Sequence, residues 1–302
     1  MMNIIHSISA YHQLISIRPP THPLISVVDL SKIRFIEHKL WENFAMKFYC
    51  ISLKKNITGK TKYGREYYDY DKGIMTFVSP MQTLSLEGPH METDRSASGF
   101  ALFIHPDFLS GHSLSTMDKD YGFFSYSVNE ALHLSEKEEE NTIELFLKIA
   151  QEYESTDQHS RQILLAQIEL LLSYCNRFYM RQFETRKVHN NSIIDKLDHY
   201  LNNHFDAQDS LRVGIPSVEA IAEMLNVSTH YLSDLMRSMT GYNTQQYIQN
   251  RLLEKAKEYL HKTDLSVAEI AYLLGFEYPQ SFNKLFKKKV NLSPLEFRRS
   301  FL

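Results

Sequence analysis

Between Pro279 and Leu295 the chain carries Gln280, Ser281, Asn283 and Lys284, then Lys287, Lys288 and Lys289, and no acidic residue. Phe282, Leu285 and Phe286 fall at the i, i+3, i+4 spacing of a helix that buries one stripe, so the amides, hydroxyl and lysines share the opposite face. An amide both donates and accepts hydrogen bonds, and an ammonium group is a donor-only point charge. Side by side they are suited to recognising polar edges next to an anion. The whole chain has a formal net charge of -3, so any polyanion site must be local, and this stretch is the local excess.

Residues that would make or break bonds are dispersed. Metal oxygenase chemistry on a small β-barrel needs a close histidine pair such as H-x-H with a carboxylate and another histidine, leaving a metal position open. No H-x-H occurs, and His38, His90, His105 and His112 are scattered, as surface or turn histidines would be. There is no nucleophile elbow and no phosphate-binding glycine loop. Cys50 and Cys175 are the only cysteines, too few for a disulfide framework or a thiolate metal site, which fits a reduced compartment. No metal, no cofactor and no enzymatic activity are expected. Tyr63, Tyr67, Tyr68, Tyr70 and Phe77 form an aromatic set that either lines a small-molecule pocket or fills a core.

The elements that must position these groups divide in two. At 302 residues the chain exceeds one ordinary domain, and its 43% hydrophobic and 23% charged residues are those of a globular protein. The start lacks a basic segment followed by an apolar core, so no signal peptide is expected. No uncharged apolar run approaches the ~18 residues of a membrane span, and a cytoplasmic location is expected. From about Leu24 to Phe103, runs such as LISVVDL and FAMKFYCISL, with Gly and Pro punctuation, predict several short strands and a barrel or sandwich. Ser135 and Glu138 have capping-box spacing and open a helix. A second helix runs from about Gln158 to Gln182. Its stripe of Ile168, Leu171, Leu172, Cys175, Phe178 and Tyr179 either packs on the β block or pairs with its copy in a second chain. QFETRKVHNNS reads as a polar linker, and helix alone follows from Ile193.

The last part repeats itself. SVEAIAEMLNVSTHYLSDLMRSMTG, from Ser217, matches SVAEIAYLLGFEYPQSFNKLFKKKVN, from Ser266. Ile221, Ala222 and Leu225 match Ile270, Ala271 and Leu274, while Leu232, Leu235 and Met236 match Phe282, Leu285 and Phe286. Each copy is a short helix with a small alanine at the crossing, an Asn or Gly stop, and a second helix starting at Ser228 or near Pro279. Between them NTQQYIQNRLLEKAKEYLHKTDLS predicts one long helix that sets the separation of the two copies. At a separation of ~34 Å one protomer spans two successive major-groove segments.

The strings YLSDLMRSMTG, YIQNRLLEKAKEYL and above all SVAEIAYLLGFEYPQSFNKLFKKKVNLSPLEFR resemble the DNA-binding domain of AraC/XylS-type transcriptional regulators, over about Ile193 to Phe301. Upstream, YGREYYDYDKGIMTFVSP, HPDFL and FFSYSVNEALHLSEKE look like the sensor half of one branch of that family. The resemblance implies a cupin-like sensor barrel that binds a small-molecule effector, with Tyr63, Tyr67, Tyr70 and Phe77 as pocket candidates. It also places Gln280, Ser281, Asn283 and Lys284 toward base edges. Gln and Asn suit adenine and Lys suits guanine. Lys287, Lys288 and Arg298 would meet phosphates. In the first copy His230, Ser233 and Asp234 would face bases and Arg237 the backbone. Two departures stand out. Asn291 replaces a usual Gly, and Asn tolerates the same left-handed turn. Asp234 stands opposite Lys284, where a phosphate repels it, although cytosine N4 can donate to it.

The expected fold is α+β: a cupin-like β-barrel over 1–134, a helical linker and dimerisation region over 135–187, and an all-α double helix-turn-helix domain over 188–302 with motifs at about 217–241 and 266–291. Dimer-interface candidates are Ile168, Leu171, Leu172, Cys175 and Phe178. The function implied is a sequence-specific transcriptional regulator. Its partners would be promoter DNA, a second copy, an effector and, for an activator, RNA polymerase. Two other readings stand: a metal-dependent cupin enzyme with a helical appendage, which stoichiometric metal would reveal, and a non-specific architectural protein, which unrelated competitor DNA would reveal.

Overall fold

The computed structural model describes residues 2–33, 39–55, 62–63, 66–67, 73–85, 98–127, 130–155, 157–206 and 209–300. They form two compact units, Met1–Gln182 and Phe183–Leu302. Among the described residues no helix is long and apolar enough to cross a membrane.

The first unit contains β1 (Asn3–Ile5), α1 (Ile8–Leu14), β2 (Ile25–Asp29), β3 (Phe44–Met46), β4 (Tyr49–Lys55), β5 (Lys62–Tyr63), β6 (Glu66–Tyr67), β7 (Ile74–Val78), β8 (Ser98–Ile104), α2 (Met117–Asp120), β9 (Leu132–His133), α3 (Glu136–Tyr153) and most of α4 (Ser160–Thr185). The main sheet is antiparallel in the order β2-β8-β4-β7-β9, with β1 parallel to β3 and β5 paired to β6 as separate two-stranded pieces. The expected barrel is not closed among the described residues. The end strands β2 and β9 do not pair with each other, so among the described residues the ladder is an open sheet.

Strand alternation gives this sheet two apolar faces. On one, α1 packs Tyr11 against Phe103 at 4.8 Å between ring centroids, beside Trp41, Phe44 and Phe48. On the other, Phe146 of α3 stacks on Phe100 at 5.6 Å, and Tyr179 of α4 packs on Phe77, Phe123 and Tyr126. Polar bonds hold α4 in place. Gln182 accepts from the His133 amide at 2.8 Å and donates to the Ala131 carbonyl, and Arg181 donates to the His133 carbonyl at 2.7 Å.

The dimer-interface candidates are therefore core. Ile168, Leu172 and Cys175 are fully buried within one chain, and Leu171 and Phe178 keep at most 5% of their surface. A stripe covered by its own sheet has no apolar surface left for a partner. Phe77, offered for a pocket, is also core, 4.3 Å from Phe123. Tyr63 and Tyr67 stand in β5 and β6, but their side chains, like Tyr68, Tyr70, His38 and His90, lie outside the described residues. His105 and His112 cap short 3-10 turns, accepting from the amides of Asp107 and Leu114.

The second unit continues through α5 (Lys187–Asp206), α6 (Asp209–Val213), α7 (Val218–Leu225), α8 (Thr229–Thr240), α9 (Thr244–Lys262), α10 (Val267–Leu273), α11 (Pro279–Val290) and α12 (Pro294–Arg299). The polar stretch read as a linker is helical on both sides of a single break at Arg186. Asn190 covers the end of α4 by donating to the Phe183 carbonyl at 2.7 Å.

Candidate nucleic-acid interface

Two matched helix pairs, α7–α8 and α10–α11, build this site. Ser217 and Ser266 cap the first helix of each pair, and Ile221, Ala222, Ile270 and Ala271 are buried where the second helix crosses. Asn226 ends α7 in the left-handed region at φ 57°, and Gly275 follows α10 at φ 88°. Asn291 also takes left-handed geometry at φ 62°, as its short polar side chain allows. Each second helix is 12 residues long, α8 opening on the Ser228 hydroxyl and α11 on Pro279. Leu232, Leu235 and Met236 of α8 and Phe282 and Phe286 of α11 are buried, so both helices are anchored by the repeat's apolar positions.

The anchoring leaves one face of α11 in solvent. Gln280, Ser281, Asn283, Lys284, Lys287, Lys288 and Lys289 are all exposed. Among the described residues none of these four lysines makes an ion pair. The face thus combines neutral donors and acceptors at its start with four positive charges toward its end.

In α8 the equivalent face is different. His230 is exposed. Ser233 is half-buried and turns its hydroxyl to Thr244 at 3.3 Å, at the start of α9. Arg237 bonds Asp234 at 2.8 Å one turn back, so the guanidinium assigned to phosphate is held by a carboxylate. Tyr231, which aligns with exposed Ser281, is buried with its ring 5.3 Å from Phe183. Arg298 is half-buried. It donates to the carbonyls of Leu260 and Leu265, at 3.2 and 2.6 Å, and so ties α12 to the end of α9.

Two interactions that position the helices have no local signal. Asp198 of α5 accepts from Tyr247 at 2.7 Å and from Arg251 Nε and Nη2 at 2.9 and 2.7 Å, fixing α9 against α5. Burial, together with this carboxylate, pushes the Tyr247 phenol up to about 12. The spacing of Tyr247 and Arg251 marks a semi-buried face, but nothing in it names a partner so far away in sequence. The second is backbone on backbone. A Cβ at Gly275 would lie 2.7 Å from the Gly214 carbonyl carbon, so only glycine admits this approach. His204 reinforces it by donating from Nε2 to the Gly214 carbonyl at 2.7 Å.

A groove of about 820 Å³ lined by Asn191, Lys196, His199, Tyr200 and Met224, among others, contains none of the polar-face residues of α8 or α11. Among the described residues no group of three His, Cys, Asp or Glu is placed to hold a metal ion.

Comparison with known proteins bears on this geometry. A family model described as a helix-turn-helix domain matches residues 221–300. The chain is 26% identical to the HTH-type transcriptional activator RhaS of Enterobacter sp. (strain 638), over 99% of this chain and 98% of that protein. It is 31% identical to RhaS of Salmonella paratyphi B over 46% of each chain. Among solved structures, the C-terminal domain of the response regulator yesN from Fusobacterium nucleatum is 30% identical, covering 34% of this chain and 98% of that one, with a TM-score of 0.29.

Proposed function

We propose that the chain is an AraC-type transcriptional regulator that binds DNA sequence-specifically, supported by the matched helix-turn-helix domain and the similarity to transcriptional activators, and that it reads its operator as follows. α11 enters the major groove with Gln280, Ser281, Asn283 and Lys284 at base edges, while Lys287 and Lys288 engage phosphates on the groove wall. The observation that carries this reading is the exposed, acid-free polar face of α11 on a helix whose opposite side buries Phe282 and Phe286. α8 occupies the neighbouring groove segment, held at a set distance by α9.

The relatives' description as activators supports activation, with RNA polymerase as a partner. We assign residues 1–134 to a cupin-like sensor of a small-molecule effector and 135–187 to a helical connector. Pairing of two copies is assigned to the outward side of α3 and α4. Leu147, Ile163 and Leu170 there are 52%, 40% and 47% exposed, whereas the inward stripe is covered. No catalytic step is assigned.

Selection of bound sites from randomised DNA by the full chain, followed by footprinting and competition at physiological salt, tests the reading. The expected result is one site spanning two successive major-groove segments that resists unrelated competitor. Equal competition by any duplex would leave only architectural binding, and stoichiometric iron, manganese or zinc in the purified protein would favour the enzyme.

A further inference from the structure

The two recognition helices have the same length, and the buried Leu232 and Met236 align with the buried Phe282 and Phe286, so their exposed residues can be compared one by one. Asp234 aligns with Lys284 and Arg237 with Lys287. α11 carries four lysines and no acid, whereas the only Asp, Glu, Lys or Arg residues of α8 are Asp234 and Arg237, bonded to each other at 2.8 Å. With Tyr231 buried and Ser233 turned to Thr244, the base-facing side of α8 is reduced to His230 and Asp234. The Asp234 side chain retains 23% of its surface, and Arg237 retains 59%.

We propose that Asp234 is a specificity residue that selects a cytosine, and that Arg237 is its counter-charge rather than a phosphate anchor. This rests on the reading of α8 as a groove helix. Of the four bases, guanine presents O6 and N7 and thymine presents O4, all acceptors that repel a carboxylate. Adenine places the acceptor N7 beside its N6 amino group. Cytosine offers the N4 amino group as its polar major-groove feature. A bare carboxylate between two rows of phosphates would be expelled, and the guanidinium one turn away cancels that charge where the groove excludes water. The bond from Arg237 to the Asp234 carboxylate holds the guanidinium away from phosphate, so the pair stays together on DNA. Lys287, at the matching position of α11, makes no ion pair among the described residues, so the phosphate role falls to it rather than to Arg237.

The test uses the full chain and the site selected from randomised DNA, with every base varied in the segment under α8. Wild type is expected to prefer C·G at one position by roughly 5- to 150-fold. Asp234→Ala and Asp234→Asn should each bring that preference to within about twofold, with the positions read by α11 unchanged. The salt dependence of binding supplies an independent arm. Arg237→Ala should leave the slope of log K against log salt unaltered in wild type. In the Asp234→Asn background, where Arg237 is released, the same change should lower the slope by about one unit. An undiminished cytosine preference in Asp234→Ala, or a full-unit fall for Arg237→Ala in wild type, would overturn the proposal. Failure of the underlying reading looks different, since no base under either helix would then be discriminated.

Discussion

Replacing Gly275 by alanine tests the joint that holds the second helix pair against the segment before the first. The residue sits at φ 88°, where an alanine costs ~1–2 kcal/mol through its Cβ. That Cβ would also lie 2.7 Å from the Gly214 carbonyl carbon, well inside the ~3.5–4.0 Å of a normal contact. The obstruction is backbone and cannot rotate away, so the α6 segment must retreat, adding ~1–3 kcal/mol of overpacking. Together Gly275→Ala should cost ~2–5 kcal/mol. Gly241 is the matched control, at φ 79° with no atom within 4 Å of a built Cβ, so its alanine should cost only the conformational ~1–2 kcal/mol. Urea unfolding separates the units, because Trp41, the only tryptophan, is buried in the first while the second is all helix. The Gly275→Ala midpoint should fall by circular dichroism at 222 nm and hold by tryptophan fluorescence. If the two alanine variants lose the same stability within ~0.5 kcal/mol, the Gly214–Gly275 approach is not part of the folded protein.

On α11, Phe282→Ala or Phe286→Ala should cost ~3–5 kcal/mol, since both rings are fully buried. Gln280→Ala and Asn283→Ala should stay within ~0.5 kcal/mol in stability but lose ~1–3 kcal/mol of specific binding at particular bases. Neutralising Lys287 or Lys288 should weaken operator and scrambled DNA alike and reduce the salt slope by about one unit each; lysine variants that change base preference instead would put this helix in the wrong place. Leu171→Asp should unfold the first unit, because it introduces a charge where 1% of the residue is exposed; a folded monomer would restore the interface reading of that stripe. His12 is held below its ordinary 6.5 chiefly by burial, with its ring bonded to the Arg18 carbonyl and to Ser26. The folded state therefore favours the neutral ring. The stability this gives is present above the unfolded value and is lost as pH falls through the lower folded one. His12→Gln should flatten the fluorescence-monitored stability profile just below pH 6.5, and an unchanged profile would exclude this histidine as its source.

Sequence alone determined the features that local spacing encodes. Ser135 with Glu138 and Ser266 with Glu269 form the capping boxes their spacing announces, and the repeat's apolar positions became the buried sides of α8 and α11. Periodicity marks which side of a helix is buried, but it carries no information about what covers it. The α4 stripe was equally consistent with a partner chain or with its own sheet, and only the aromatic contacts to Phe77, Phe123 and Tyr126 placed it inside. Ring closure likewise depends on which strands become neighbours, and strand runs look the same in a barrel and in an open sheet. For polar side chains the uncertainty is larger, because a hydrogen bond is decided over a few tenths of an ångström. Ser233, Arg237 and Arg298 have the residue types of DNA contacts, yet Thr244, Asp234 and the carbonyls of Leu260 and Leu265 lie within reach. Gln280, Asn283 and Lys284 stayed exposed, and among the described residues no protein group takes their hydrogen bonds.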